Sequence, residues 1–138
     1  MKKTAILIAS LAVLTLWGCN NEQRQITKAA EGYLKATGNY RIEEAYPYAT
    51  RETREVTLPY MSEVLIPATD SAYLAANVPA TIVLDSLLIE NDTAWVAYTK
   101  TTPIKKLSNI IYLVKEDGKW LVDLVIDTSN SVAPLLRI

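Results

Sequence analysis

The side chains left to do chemistry in this sequence are carboxylates and tyrosines, because the other common reagents are missing. None of the 138 residues is histidine, which removes the usual general base at neutral pH and the commonest metal ligand. Cys19 is the single cysteine, so neither an intrachain disulfide nor a cysteine-rich zinc site can form. Beyond residue 18 the glycines are Gly32, Gly38 and Gly118, too scattered for a phosphate-cradling loop. No cofactor and no metal is expected.

Two carboxylates have neighbours that suggest catalysis. In the run Lys119 to Asp127, strand alternation groups Asp123 with Leu121 and Val125 and puts Trp120, Val122, Leu124 and Ile126 on the other face. Asp85 sits between Leu84 and Leu87. Buried among such neighbours, a carboxyl group has its pKa raised and can serve as a general base. On a solvent-facing strand side it is an ordinary surface acid, which is the commoner arrangement. The eight tyrosines are spread along the chain and there is no phenylalanine, so most must pack the core rather than stack on a ligand. Lys105 and Lys106, beside Pro103, read as a solvated turn rather than an anion site.

The N-terminus gives an address. Lys2 and Lys3 precede an apolar run from Ala5 to Trp17, the charge pattern of a secretory leader too short to span a bilayer. Its ending, Leu16-Trp17-Gly18-Cys19, resembles the lipobox cut by the lipoprotein signal peptidase, with Leu16 aliphatic, Gly18 small and the Cys19 thiol as acyl acceptor. Trp17 departs from the small residue usual at that place. The resemblance implies a signal peptide over 1–18, a lipidated tether over 19–24 and one domain over 25–138. It implies a bacterial envelope protein whose diacylglycerol and palmitate-type chains form a membrane anchor. Several buried acyl chains, at about 0.8 kcal/mol per methylene, make such an anchor effectively permanent. Losing Lys2 and Lys3 with the leader takes the 14 basic side chains to 12 against 15 acidic ones, with no basic stripe, which excludes nucleic acid as a partner.

The elements that would position these residues follow from periodicity. Ile26, Ala29, Ala30, Tyr33, Leu34 and Thr37 lie on one helix face, ended by Gly38-Asn39, where glycine would take the left-handed stop. A second helical stretch runs from Tyr40 to Tyr46 against Pro47. A third, from Thr50 as N-cap to Leu65, is divided by Pro59 and buries Val56, Tyr60, Met61, Val64 and Leu65. The segment from Pro67 to Pro79 reads as a loop with one helical turn. Four β-rich runs follow, Thr81 to Ile89, Thr93 to Thr101, Asn109 to Lys115 and Lys119 to Asp127. Asn91-Asp92 and Asp117-Gly118 provide hairpin turns, and Pro103 to Ser108 a longer basic connection. This is an α+β chain with helices segregated before an antiparallel meander, without internal repeats.

That order of parts resembles the nuclear transport factor 2-like superfamily, and within it the small bacterial lipoproteins of unassigned role. The likeness is carried by Ala30 to Ala49 and by the hairpin Tyr112 to Asp127, with Glu116-Asp117-Gly118-Lys119-Trp120-Leu121-Val122 at its centre. It implies N-terminal helices packed on a curved four-stranded sheet, with Trp120 covering the core. Enzymes of the superfamily, such as the ketosteroid isomerases, use an aspartate base and tyrosine donors in the concave pocket. No such arrangement is matched residue by residue. The expected role is a membrane-anchored, non-catalytic module that binds a small apolar ligand or an envelope protein. The alternative is an isomerase- or dehydratase-like enzyme using Asp123 or Asp85.

With one thiol in the chain, a fatty-acid label supplied to growing cells is expected to mark the wild-type protein and not Cys19→Ala. Label retained by the variant contradicts the lipobox reading.

Overall fold

A computed structural model describes residues 21–124. The leader over 1–18, Cys19, and the strand residues 125–127 lie outside the described residues. Helix α1 covers 21–38, beginning four residues before the helical spacing that starts at Gln25. Its apolar face is the one the spacing predicts, with Ile26, Ala29, Ala30, Tyr33 and Leu34 all buried.

Its stop differs from expectation. The left-handed residue is Tyr40, at φ 60°, not Gly38. The Arg41 N–H closes onto the Ala36 carbonyl at 2.9 Å, and the Tyr40 N–H onto Thr37, the bonding of a helix end whose last carbonyls are satisfied by the chain folding back. Gly38 serves a close approach instead: a Cβ there would lie 3.3 Å from the Ala80 Cβ and 3.4 Å from Lys100 Cδ.

After a 3-10 turn over Ile42–Tyr48, helix α2 runs unbroken over 51–68 through both Pro59 and Pro67. Proline lacks an N–H, and its ring collides with the carbonyl four residues back. The chain answers by widening. Thr53–Thr57 and Met61–Leu65 are π-helical, with the Leu58 N–H bonded to the Thr53 carbonyl and the Ile66 N–H to that of Met61. The two widened turns carry a short repeat of period eight, Glu55-Val56-Thr57-Leu58-Pro59 and Glu63-Val64-Leu65-Ile66-Pro67. The helix therefore turns once about every four residues rather than every 3.6.

That change of period moves the buried face. Thr53, Thr57, Leu58 and Met61 are buried, and Leu65 and Tyr60 pack against the core. Val56 and Val64, expected inside, are 40% and 46% exposed. A short helix α3, Ser71–Ala76, follows, capped by the Asp70 carboxylate, which accepts from the Ala72 N–H at 3.3 Å.

The sheet is a four-stranded antiparallel meander in the order β1-β2-β3-β4: β1 Thr81–Glu90, β2 Thr93–Thr101, β3 Lys106–Glu116 and β4 Lys119–Val122. Asn91, Asp117 and Gly118 take positive φ in the two hairpin turns, as their residue types favour. The β2–β3 connection is shorter than expected, because β3 begins at Lys106. Ile82, Val96, Tyr98, Ile111, Leu113, Trp120 and Val122 make up the sheet's side of a single core shared with α1 and α2. Trp120 is covered, as the resemblance implies. The described residues thus form the expected α+β arrangement of helices on a curved sheet.

The four-residue period is tested by two truncations on α2. Met61→Ala is expected to cost about 2–5 kcal/mol and Val64→Ala no more than about 0.5 kcal/mol in urea unfolding. Equal costs would restore the ordinary helical face.

Candidate functional site

Asp123 lies at the end of β4, half-buried, where α2 passes over the strand. Its environment is made of threonine hydroxyls. The Leu124 N–H donates to Thr53 Oγ1 at 3.0 Å, the Thr53 and Thr50 hydroxyls are 2.8 Å apart, and Thr50 Oγ1 donates to Asp123 Oδ1 at 3.0 Å. Since each hydroxyl has one proton, the order runs from Leu124 through Thr53 and Thr50 to the carboxylate. Thr57 continues the row, its hydroxyl donating to the Leu124 carbonyl. The Thr50 N–H bonds the Val122 carbonyl at 2.9 Å, and Ala49 bridges Val122 in parallel. Here Asp123 is the acceptor at the end of a staple joining α2 to β4.

Asp85 sits at the irregularity of β1, where the register with β2 shifts between Leu84 and Ser86. It is exposed on the outer face of the sheet and accepts from Thr99 Oγ1 at 2.7 Å, with Ser108 Oγ 3.2 Å beyond. The two carboxylates are thus on separate parts of the fold, and threonine supplies the hydroxyl contact to each. Tyr33 and Tyr98 lie in the core, and burial pushes both phenols up, Tyr98 to about 12. The Tyr33 hydroxyl and Trp120 Nε1 are buried without a hydrogen-bond partner among the described residues. No group of three or more possible metal ligands exists among the described residues.

The opening in the surface is elsewhere. A cleft of about 700 Å³ lies between the end of α1 and the start of β1, lined by Lys35, Asn39 and Arg41 on one side and Val78 to Ile82 on the other. Asn39 builds it. Its Oδ1 accepts from the Ala80 N–H at 2.8 Å, while Nδ2 donates to the carbonyls of Lys35 at 2.8 Å and Ala80 at 3.3 Å. One side chain therefore fixes the helix end and the strand start to each other. Val78, Pro79, Ala80 and Ile82 give an apolar wall, with a cis peptide before Pro79. Lys35 and Arg41 bring positive charge to the other side, Arg41 also pairing with Glu44 at 2.9 Å.

More positive charge stands beside the cleft. The stem of Lys100 passes Gly38, and burial, with Lys105 nearby, holds its amine below the usual lysine range. Lys105 Nζ donates to the Tyr73 hydroxyl at 2.6 Å, which lowers that phenol's pKa. Lys105, read from the sequence as a solvated turn residue, is thus exposed yet tied to α3. Thr102 joins the same end by donating to Asn77 Oδ1 at 3.0 Å. Of Lys35, Asn39 and Arg41 only Asn39 carries a sequence signal, and that as part of the α1 stop. Asn39 and Ala80 meet across 41 positions of chain, and no local periodicity links them.

The threonine staple gives a direct test. Thr53→Val keeps the volume but strands the Leu124 N–H and breaks the path to Asp123, so about 1–3 kcal/mol of stability is expected to be lost in thermal unfolding. Asp85→Asn, at an exposed site, should change stability by no more than about 0.5 kcal/mol.

No family model matches the chain, and no curated protein is similar to it. Among solved structures it is similar to a crystal structure from Campylobacter jejuni of a protein assigned as an NTF2-like transpeptidase. The identity is 19%, the TM-score 0.54, and the match covers 72% of this chain and 97% of that one. At that identity the likeness is one of fold: helices packed on a four-stranded antiparallel sheet, the NTF2-like arrangement.

Proposed function

We propose that this protein is a lipid-anchored module of the bacterial cell envelope, held by Cys19, that binds a small amphipathic ligand without catalysis in the cleft between α1 and β1. The cleft carries the reading: an apolar wall of Val78, Pro79, Ala80 and Ile82 faces the cations Lys35 and Arg41, a pairing suited to an apolar body with an anionic head. The sequence points to a small apolar ligand or an envelope protein, and the two cations add an anionic head group to the first of these. The carboxylates an isomerase would need are supporting evidence from the other side. Asp123 ends a hydroxyl chain, and Asp85 is exposed 14 positions from its threonine partner. The transpeptidase assignment of the structural neighbour would need an activated nucleophile here. Without histidine the chain lacks the commonest base for activating one.

Decanoate, with decanol as the neutral control, tests the proposal on the full chain. Amide NMR shifts at Ala80, Thr81 and Ile82 should respond to decanoate and much less to decanol. The double variant Lys35→Ala, Arg41→Ala should weaken binding about tenfold, the loss of about 1.4 kcal/mol from a charge-assisted contact. Shifts centred on Asp123, or equal response to both probes, would overturn the cleft as the binding site.

A further inference from the structure

β1 is an edge strand of the sheet, so one side of its backbone has no neighbouring strand among the described residues. Which residues use that side follows from the ladder. The Asp123 N–H bonds the Tyr112 carbonyl, so Tyr112 turns its backbone groups toward β4 and Ile111 turns its own toward β2. Ile111 pairs with Val96, and Thr99 with Val83. Alternation across these pairs sets Thr81 and Val83 facing β2, with Ile82 and Leu84 facing the open side.

Ala80 shares their parity, and both its backbone groups are taken by Asn39. The Ala80 N–H donates to Asn39 Oδ1 at 2.8 Å, and the Ala80 carbonyl accepts from Nδ2 at 3.3 Å. One acceptor and one donor from a single carboxamide are what a residue of a neighbouring antiparallel strand would offer. Asn39 thus stands where the first rung of a fifth strand would be. The next rungs are vacant: among the described residues, no hydrogen bond from outside the strands reaches the Ile82 or Leu84 backbone. Beyond them the register shift between Leu84 and Ser86 breaks the ladder. The open stretch from Thr81 to Leu84 is therefore bounded at both ends, and at about 3.3 Å per residue it is about 13 Å long. Its first half, Thr81 and Ile82, lines the same cleft as Lys35, Asn39 and Arg41.

Resting on the cleft reading above, we infer that the ligand is a short extended peptide, which pairs with the Ile82 and Leu84 backbone as a fifth, antiparallel strand and ends in a carboxylate. The charges choose its direction. A chain antiparallel to β1 runs from Leu84 toward Ala80, so its C-terminus arrives beside Lys35 and Arg41, whereas a parallel chain would bring an ammonium there. Main-chain bonds of this kind give affinity, and the apolar wall of Val78, Pro79 and Ile82 selects apolar side chains. A fatty acid would satisfy the cations and the wall but leave both rungs to water.

The test adds acetyl-Thr-Val-Thr-Val with a free C-terminal carboxylate to the full chain, in parallel with decanoate. At saturating peptide, amide hydrogen exchange at Ile82 and Leu84 should slow severalfold, while Val83, already bonded to β2, should change little. Of two versions N-methylated at alternate residues, the one that loses the amides facing β1 should bind about tenfold more weakly and the other as the parent does. The C-terminal amide should also lose about tenfold. Decanoate shifts at Ala80, Thr81 and Ile82 without peptide binding overturn the inference and leave the cleft reading standing. So does a bound peptide that leaves exchange at Ile82 and Leu84 unchanged, treats the two N-methylated forms alike, or binds equally as its amide. If neither probe moves those amides, the cleft reading fails and the inference with it.

Discussion

Two prolines eight residues apart set the rotation of α2, and much of the molecule follows from it. A helix at 3.6 residues per turn would put Val56 and Val64 against the sheet. Pro59 and Pro67 do not allow it, because each demands room for the carbonyl behind it. The widened turns bring Thr53 and Thr57 inward instead, where both are fully buried. A buried hydroxyl without a partner costs on the order of 1–3 kcal/mol, so these must find one. They find the backbone at Leu124 and the hydroxyl of Thr50. The rotation of one helix thereby secures the last strand, and the carboxylate beside that strand becomes part of the joint. Bonds in such a chain polarise one another, which makes the joint more specific than a patch of apolar contacts.

The other helix does a different job. α1 spans the sheet from hairpin turns to strand start, and its burial is of the ordinary amphipathic kind. What is unusual is its end, where a glycine permits contact with Ala80 and Lys100, and Asn39 bonds both backbones. The cleft lies at this joint, between the residues that follow α1 and those that lead into β1.

Much of the fold was legible in the sequence because it is written in local signals. The α1 stripe, the hairpin turns at Asn91-Asp92 and Asp117-Gly118, and the β-branched runs each act within a few residues. The four strands follow in the expected order, although β3 starts earlier than its sequence run suggested. The face of α2 departs from the standard helical spacing because two π-helical turns, each carrying the Glu-Val-X-Leu/Ile-Pro pattern, lengthen its period. The stop of α1 lies at Tyr40 rather than Gly38 because a glycine near a helix end has two uses, and here it serves close packing rather than backbone freedom. Nothing local joins Asn39 to Ala80 or Thr50 to Asp123. The cleft and the staple are products of tertiary placement, and the local signals of Asn39, Thr50 and Asp123 do not say which residues they meet.

The comparison of the two aspartates shows why an acid among apolar neighbours is a weak sign of catalysis. Asp85 lies on an outer sheet face where Val83, Leu88 and Ile110 are also exposed, so apolar neighbours in sequence did not mean burial. Asp123 is half-buried, and its Oδ1 is taken up as the acceptor of the Thr50 hydroxyl at the end of the staple. Tyr33, Tyr98, Leu113 and Trp120 fill the core between the helices and the sheet, which commits that face of the sheet to packing. A scaffold so committed leaves its margins, the ends of elements, for recognition. Among the described residues the end of α1 has both an apolar wall and positive charge, and the ligand proposed above would sit there without disturbing the core.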